Sequence, residues 1–506
     1  MSPDDGTAVP SVDLLPFLAA FQRVSELAAE TQQSRTSGGT TIAEVLAEHL
    51  GRDPRSLPVV AETLSPLRTV DADVALDVLA ERHGGGRVVG VGGGEQRMHC
   101  SLSEIVEQSS QWRQFPVGAV DYTRTATGPD SERRVVSFGL RLLTVGGTPV
   151  AVLQRAAAPR FGMEGALEVL APDQDDALAF LAELREAMVA HSVLRGQVVS
   201  FTAGDYEATS AGVTYHRRDP VPAADVVLPS GTLDRVTRQV LGVAEHRERL
   251  LAAGQHLKRG VLLYGPPGTG KTHTVRHLVG RADGTTVILL AGSTLQLVGV
   301  AAETARAMQP AVVVLEDCDL IAEDRSFHDG PQPLLFEVLD AMDGLAPDAD
   351  VAFVLTTNRA DLLERALSQR PGRVDLAVEI PLPDAVARRR LFDLYGGGQG
   401  FGGAALDDAA ERTEGVTASF VKEAIRRAVL LAADDDRPAA DGDLAAAVTE
   451  MTADGERITR SLLGGAAMDP DDDVDGVDGE DDDLDGGDTF GWFPEAPGPG
   501  AFRPGP

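Results

Sequence analysis

Lysine is almost missing from this chain: Lys258, Lys271 and Lys422 are the only three among 45 Lys+Arg. A lysine in a special setting is therefore hard to ascribe to chance. Cysteine is as scarce. Cys100 and Cys318 stand far apart without metal-ligand neighbours, which excludes a disulfide framework and a cysteine-built zinc site and fits a reducing compartment. Positive charge is short overall: 45 Lys+Arg against 78 Asp+Glu leave a net −33, which argues against a broad nucleic-acid or anionic-membrane surface. No apolar run approaches the roughly 18 residues of a membrane span, and the opening MSPDDGTAVP is acidic where a secretory leader is basic. A soluble, cytoplasmic protein without membrane insertion is expected. The Ala/Gly/Asp/Arg-heavy usage suggests a GC-rich bacterial genome. No HExxH occurs, so a zinc protease of that type is excluded.

What is present is enough for real cores: 506 residues, 43% apolar, leave room for two to four domains. Residues 1–83 read as an N-terminal helical segment, with apolar residues at three- and four-residue steps from Val12 to about Gln33 and two further helical patterns at Ile42–Leu50 and Val70–Arg82. Residues 84–216 read as an α+β domain: VVSFGLRLLTV, a Gly146-Gly147 turn and TPVAVLQ form a hairpin, and Asp175–His191 a helix. The glycine cluster at 84–94 has no following Lys-Ser/Thr and is taken as a strand connection rather than a phosphate loop. His99 beside Cys100 lacks a second ligand pair and is taken as an ordinary core or edge residue.

After RRDPVPAAD (217–225) the texture becomes short β-branched runs alternating with helical patterns, the mark of a parallel sheet flanked by helices. The expected strands are 261–264, 286–291, 311–316, 351–357 and 376–380 within a domain spanning 217–383, followed by an all-helical 384–463. Residues 464–506 are an acidic, Pro/Gly-rich tail expected to be disordered; within 469–488 there are 12 acids and no cation. Phe490, Trp492 and Phe493 follow, so that a docking or autoinhibitory element is one reading and a solvated tail the preferred one.

The chemistry is concentrated in three places. Directly after VLLY come Gly265, Pro266, Pro267, Gly268, Thr269, Gly270, Lys271 and Thr272, then a helix-compatible run. Phosphates need this arrangement: glycines let backbone N–H groups close round the β-phosphate, the helix N-terminus adds positive potential, Lys271 reaches the β/γ oxygens and Thr272 holds Mg2+. A buried strand then ends in Glu316-Asp317-Cys318-Asp319, delivering one carboxylate to the hydrated metal and one to an attacking water. Finally, Thr356-Thr357-Asn358 closes a strand, and Arg370-Pro371-Gly372-Arg373 places two guanidiniums suited to a transferring γ-phosphoryl.

On these motifs the segment from about 225 to 463 resembles an AAA-family ATPase module of the classical branch. GPPGTGKT matches Walker A and VVVLEDCD Walker B; Asn358 falls at sensor 1, Arg370 and Arg373 at the arginine-finger positions, and GVTASFVKEAIRRA (415–428) on the lid helix. The resemblance implies a three-layer αβα P-loop domain with a helical lid, ATP and Mg2+ as ligands, and a ring, usually a hexamer, in which those arginines reach the neighbour's ATP. The usual Walker B order is Asp-Glu; here Glu316 precedes Asp317, so the metal-side carboxylate is longer and the water-polarising one shorter by a methylene. With RPGRVD, this order resembles the mitochondrial AAA chaperone branch that handles folded respiratory-chain proteins. Where threading members carry an aromatic pore residue, this chain has Leu297-Val298-Gly299; Leu297 either contacts substrate or packs under the loop.

The leading expectation is an Mg-ATP-hydrolysing ring that remodels, unfolds or disassembles protein substrates, with Asp317 the base, hydrolysis slow, and residues 1 to about 215 choosing the substrate. The alternative is a nucleotide-gated scaffold or switch. A DNA-loading or helicase ring is disfavoured by the charge.

Overall fold

The computed structural model describes residues 39–157, 164–204, 207–318, 340–342, 344, 346–359 and 374–453, together with Arg23. Nearly all of the expected helix at 12–33, together with Asp319, Arg370, Arg373 and the acidic tail, lies outside the described residues. The chain divides into two compact units, the first comprising the residues up to Thr127 with Ser131–Val193, the second Gly128–Asp130 and everything from Leu194.

In the first unit, strands β1 (Val59–Leu64), β2 (Gly86–Val91), β3 (Val117–Gly118), β4 (Asp121–Gly128), β5 (Ser131–Val145), β6 (Thr148–Arg155) and β7 (Gly165–Leu170) form a sheet of order β1-β7-β6-β5-β2-β3, with β4 on β5. Hairpin β5–β6 turns at Gly146 and Gly147, whose φ values of 58° and 90° suit glycine at both central turn positions. Alternation along β6 sorts its side chains between two cores. Ala151 and Leu153 join a cluster with α1 (Ile42–Leu50) and α3 (Leu102–Trp112) on one face, and Val150 and Val152 one with α2 (Thr69–Arg82) and α4 (Gln174–Ala190) on the other. The sheet is therefore covered on both sides. Capping boxes Thr41/Glu44 and Ser101/Glu104 start α1 and α3.

The second unit is a sheet of order β14-β10-β13-β12-β11-β8-β9, built from β8 (Val198–Gly204), β9 (Glu207–His216), β10 (Arg259–Tyr264), β11 (Thr286–Ala291), β12 (Ala311–Glu316), β13 (Val351–Thr357) and β14 (Leu376–Glu379). From β14 to β8 all pairs are parallel, and β9 returns antiparallel to β8. The five expected strands are all there. One face carries α5 (Lys271–Arg281) through Val275, Leu278 and Val279, and the other carries α6 (Val298–Ala307) on β11 and β12. Arg259, at the start of β10, is buried against Asp350 at 2.7 Å and also donates to the carbonyls of Val240 and Leu257. The lid follows as α7 (Ala385–Gly396), α8 (Gly403–Arg412), α9 (Ala418–Asp434) and α10 (Asp441–Thr452), packed round Phe392, Phe420, Ile425 and Leu444.

The change of texture at 217 places a domain boundary there, whereas the compact units part between Val193 and Leu194. The reason is pairing: Val198, Val199 and Ser200 lie opposite Val287, Ile288 and Leu289 of β11, so 198–216 belongs to the second sheet.

Candidate functional site

The site sits where β10, β12 and β13 end side by side, the C-terminal edge at which parallel α/β sheets bind ligands. Beyond Tyr264 the chain turns at Gly265, with φ of 141°; a Cβ there would lie 2.3 Å from the Ile380 carbonyl oxygen, so only glycine fits. After Gly268 and Gly270, also at positive φ, α5 begins at Lys271. Its first-turn amides have no partner further back along the helix, which makes the loop an anion seat. Lys271 is buried and its Nζ donates to the Gly265 and Pro266 carbonyls at 2.8 and 2.9 Å. Thr269 braces the same carbonyl of Pro266 at 2.9 Å.

The Thr272 side chain lies beside the carboxylate of Glu316 at the end of β12 and favours its charged form. Glu316 Oε1 is buried and has no hydrogen-bond partner. Burial, and then the charge of Asp317, push this carboxyl up to about 7, against the opposing pull of Thr272 and Arg276. An orphaned buried oxygen beside a hydroxyl is the environment that a hard divalent cation satisfies, so Thr272 and Glu316 fit Mg2+ as oxygen donors.

Asp317 follows, exposed, with φ of 52°; its N–H donates to Thr356 Oγ1 at 3.0 Å. Asn358 is the residue after β13 and is half-buried, and the Arg359 N–H donates to Thr357 Oγ1 at 3.0 Å. Lys271, Thr272, Glu316, Asp317 and Asn358 thus lie on neighbouring strand ends and the first turn of α5. Arg370 and Arg373 lie outside the described residues. At the expected pore position Leu297 and Val298 are 4% and 0% exposed, so both pack in the core of this chain, while Gln296, Gly299 and Val300 are exposed.

Two parts of the site are missed by sequence reasoning. The lid touches the loop: the Ser419 N–H donates to the Gly268 carbonyl at 3.1 Å, and a Cβ on Gly268 would come within 2.9 Å of Ser419 Oγ. The stretch 217–228, taken from sequence only as a change of texture, is clamped between α5 and the lid. The His277 ring bonds the Val221 carbonyl at 2.7 Å, and Arg390 reaches the Ala224 carbonyl at 2.5 Å. Val227 packs on the lid core and Leu228 on the sheet core. The available signal was the apolar run Val226-Val227-Leu228 shortly after Pro220 and Pro222.

Residues 261–382 match the family described as "ATPase family associated with various cellular activities (AAA)". The chain is 32% identical over 263 residues to the ATP-dependent zinc metalloprotease FtsH 2 of Sphaerobacter thermophilus, covering 48% of this chain and 40% of that protein. It is 34% identical over 207 residues to the ATP-dependent zinc metalloprotease FtsH of Mycobacterium tuberculosis, covering 38% of this chain and 27% of that protein. With the proteasome-activating nucleotidase of Methanopyrus kandleri it shares 33% identity over 225 residues, 41% of this chain and 51% of that protein. The chain thus spans about half, or less, of the length of these curated relatives.

Proposed function

We propose that the chain, whose residues 261–382 match the AAA ATPase family, hydrolyses Mg-ATP and uses the cycle, in a homo-oligomeric ring, to remodel, unfold or disassemble protein substrates. The observation that carries the reading is a phosphate-loop lysine, Lys271, buried at the start of α5, with Thr272 beside a Glu316 whose Oε1 is buried and without a partner. Lys271 would leave the loop carbonyls for phosphate oxygens. Thr272 and Glu316 would hold Mg2+, whose contribution is to neutralise charge on the phosphates. Asp317 would orient the attacking water and take its proton, and Asn358 would hydrogen-bond that water or the γ-phosphate. Arg370 and Arg373 of a neighbouring copy would stabilise the transferring group. The names of the relatives attach such an ATPase to a protease and to a proteasome; from them we carry over protein as the substrate class and nothing finer.

The test is turnover by the purified chain with Mg-ATP, comparing Asp317→Asn with Glu316→Gln. If Asp317→Asn leaves the rate untouched while Glu316→Gln abolishes it, the base is misassigned; if the native chain releases no phosphate, the reading fails.

A second reading, a nucleotide-gated switch with slow hydrolysis, is favoured by two observations: Asp317 is a methylene shorter than the usual glutamate, and Leu297 and Val298 are packed inward. Turnover measured with and without candidate protein substrates separates the two, since a remodelling motor is stimulated by what it works on.

A further inference from the structure

We propose that Thr356 is a positioning residue for ATP hydrolysis: its hydroxyl and its carbonyl hold the turn after β12 in the left-handed conformation that aims the Asp317 carboxylate. The inference rests on the ATPase reading and deepens it.

Asp317 has φ of 52°, a left-handed region that few residues with a side chain enter, Asn and Asp more readily than most. Among the described residues, one on the neighbouring strand makes two bonds to this turn. The Asp317 N–H donates to Thr356 Oγ1 at 3.0 Å, and the next N–H, of Cys318, donates to the Thr356 carbonyl at 2.9 Å. Regular pairing of β12 with β13 stops at Leu315 opposite Leu355, so these two bonds replace the ladder just where the strand delivers its acids. Thr356 is 1% exposed, and water cannot readily take over as acceptor.

The turn changes where the second carboxylate goes. Along an extended strand, successive side chains point to opposite faces, which would separate positions 316 and 317. A left-handed residue breaks that alternation. Asp317 is the shorter acid of the pair and has less reach of its own, so its placement depends on the backbone that carries it. The hydroxyl is the element that can be removed cleanly: valine keeps the shape of threonine without an acceptor, and serine keeps the acceptor without the methyl.

The experiment measures steady-state Mg-ATP turnover and the affinity for a fluorescent ATP analogue in the native chain, Thr356→Val, Thr356→Ser, Asp317→Asn and the Thr356→Val/Asp317→Asn double variant. Thr356→Val is expected to lower kcat by roughly tenfold to a hundredfold, the cost of misplacing a catalytic group by about an ångström, with nucleotide affinity within about twofold of native by the same reasoning, because the phosphate loop is untouched. Thr356→Ser should restore most of the turnover, and Thr356→Val should cost nothing further once Asp317 is asparagine. Native turnover in Thr356→Val overturns the inference; so does equal damage by Thr356→Ser, a loss of affinity in step with kcat, or an undiminished cost in the Asp317→Asn background. Should Thr356→Val fail to fold, Thr356→Ala is read in its place against the same serine variant. Absence of turnover in the native chain itself would instead sink the ATPase reading, a result distinct from all of these.

Discussion

Lys271 and Glu316 show two ways for a charge to be buried. The lysine returns its ammonium to two loop carbonyls, whereas the glutamate keeps one oxygen without a partner. Both arrangements make sense once phosphate and a cation arrive, and this sets a first expectation. Saturating Mg-ATP should raise the stability of the native chain by about 2.7 kcal/mol at a hundredfold excess over Kd, and thermal melts of Lys271→Ala should show no such rise. A second expectation concerns His216, which shares a 2.8 Å hydrogen bond with Ser200; burial pulls its pKa from 6.5 down to about 4. Below pH 6.5 the unfolded chain takes up a proton that the folded chain refuses until about pH 4, so this contribution is full above 6.5 and is lost as pH falls through that window. Urea midpoints measured from pH 7 to 5 should decline less steeply in His216→Asn than in the native chain. The residues of the phosphate loop and the acids after β12 were legible in the sequence because loop, lysine and strand end are local patterns. The left-handed Asp317 was not, because its conformation is set by Thr356, which lies 39 positions away.

At the scale of elements, β10 to β14 were readable from β-branched runs bounded by turn residues, and the stretch after them as all helical, though its division into four helices was not. β8 escaped notice because VVSFTAG mixes Ser, Thr and Gly into a strand that precedes the change of texture. Leu297 could not be assigned from sequence either, since an apolar residue between a strand and a helix serves a core or a partner equally well; its burial decides for the core. Another element-level feature invisible in sequence is the anchoring of β10. Arg259 and Asp350 are separated by 91 residues yet form a pair that is 3% and 2% exposed at the side chains. Removing one partner leaves a buried charge uncompensated, so Asp350→Ala is expected to cost about 3–5 kcal/mol in urea unfolding. A loss below about 1 kcal/mol, the range of an exposed pair, would show that water reaches Arg259.

For the whole molecule, the parallel sheet and the helices after it were readable from the sequence, while the second unit starts before the change of texture at 217 because strand pairing rather than composition decides it. The proposed ring is tested at this scale. Light scattering after size exclusion should show Mg-ATP driving the chain from smaller species into a closed oligomer, and Arg370→Ala should lower turnover severely while leaving nucleotide affinity near native. Equal loss of both would argue that Arg370 does not act across a subunit boundary.

The antiparallel pair of β8 and β9 has a practical consequence for anyone dissecting this protein. A fragment trimmed to begin at 217 would strip β8 and β9 away and leave Val287, Ile288 and Leu289 with a bare row of amides and carbonyls along a hydrophobic strand. Such a rim recruits other chains. That fragment should precipitate on expression, whereas one beginning at 194 should stay in solution and still take up nucleotide.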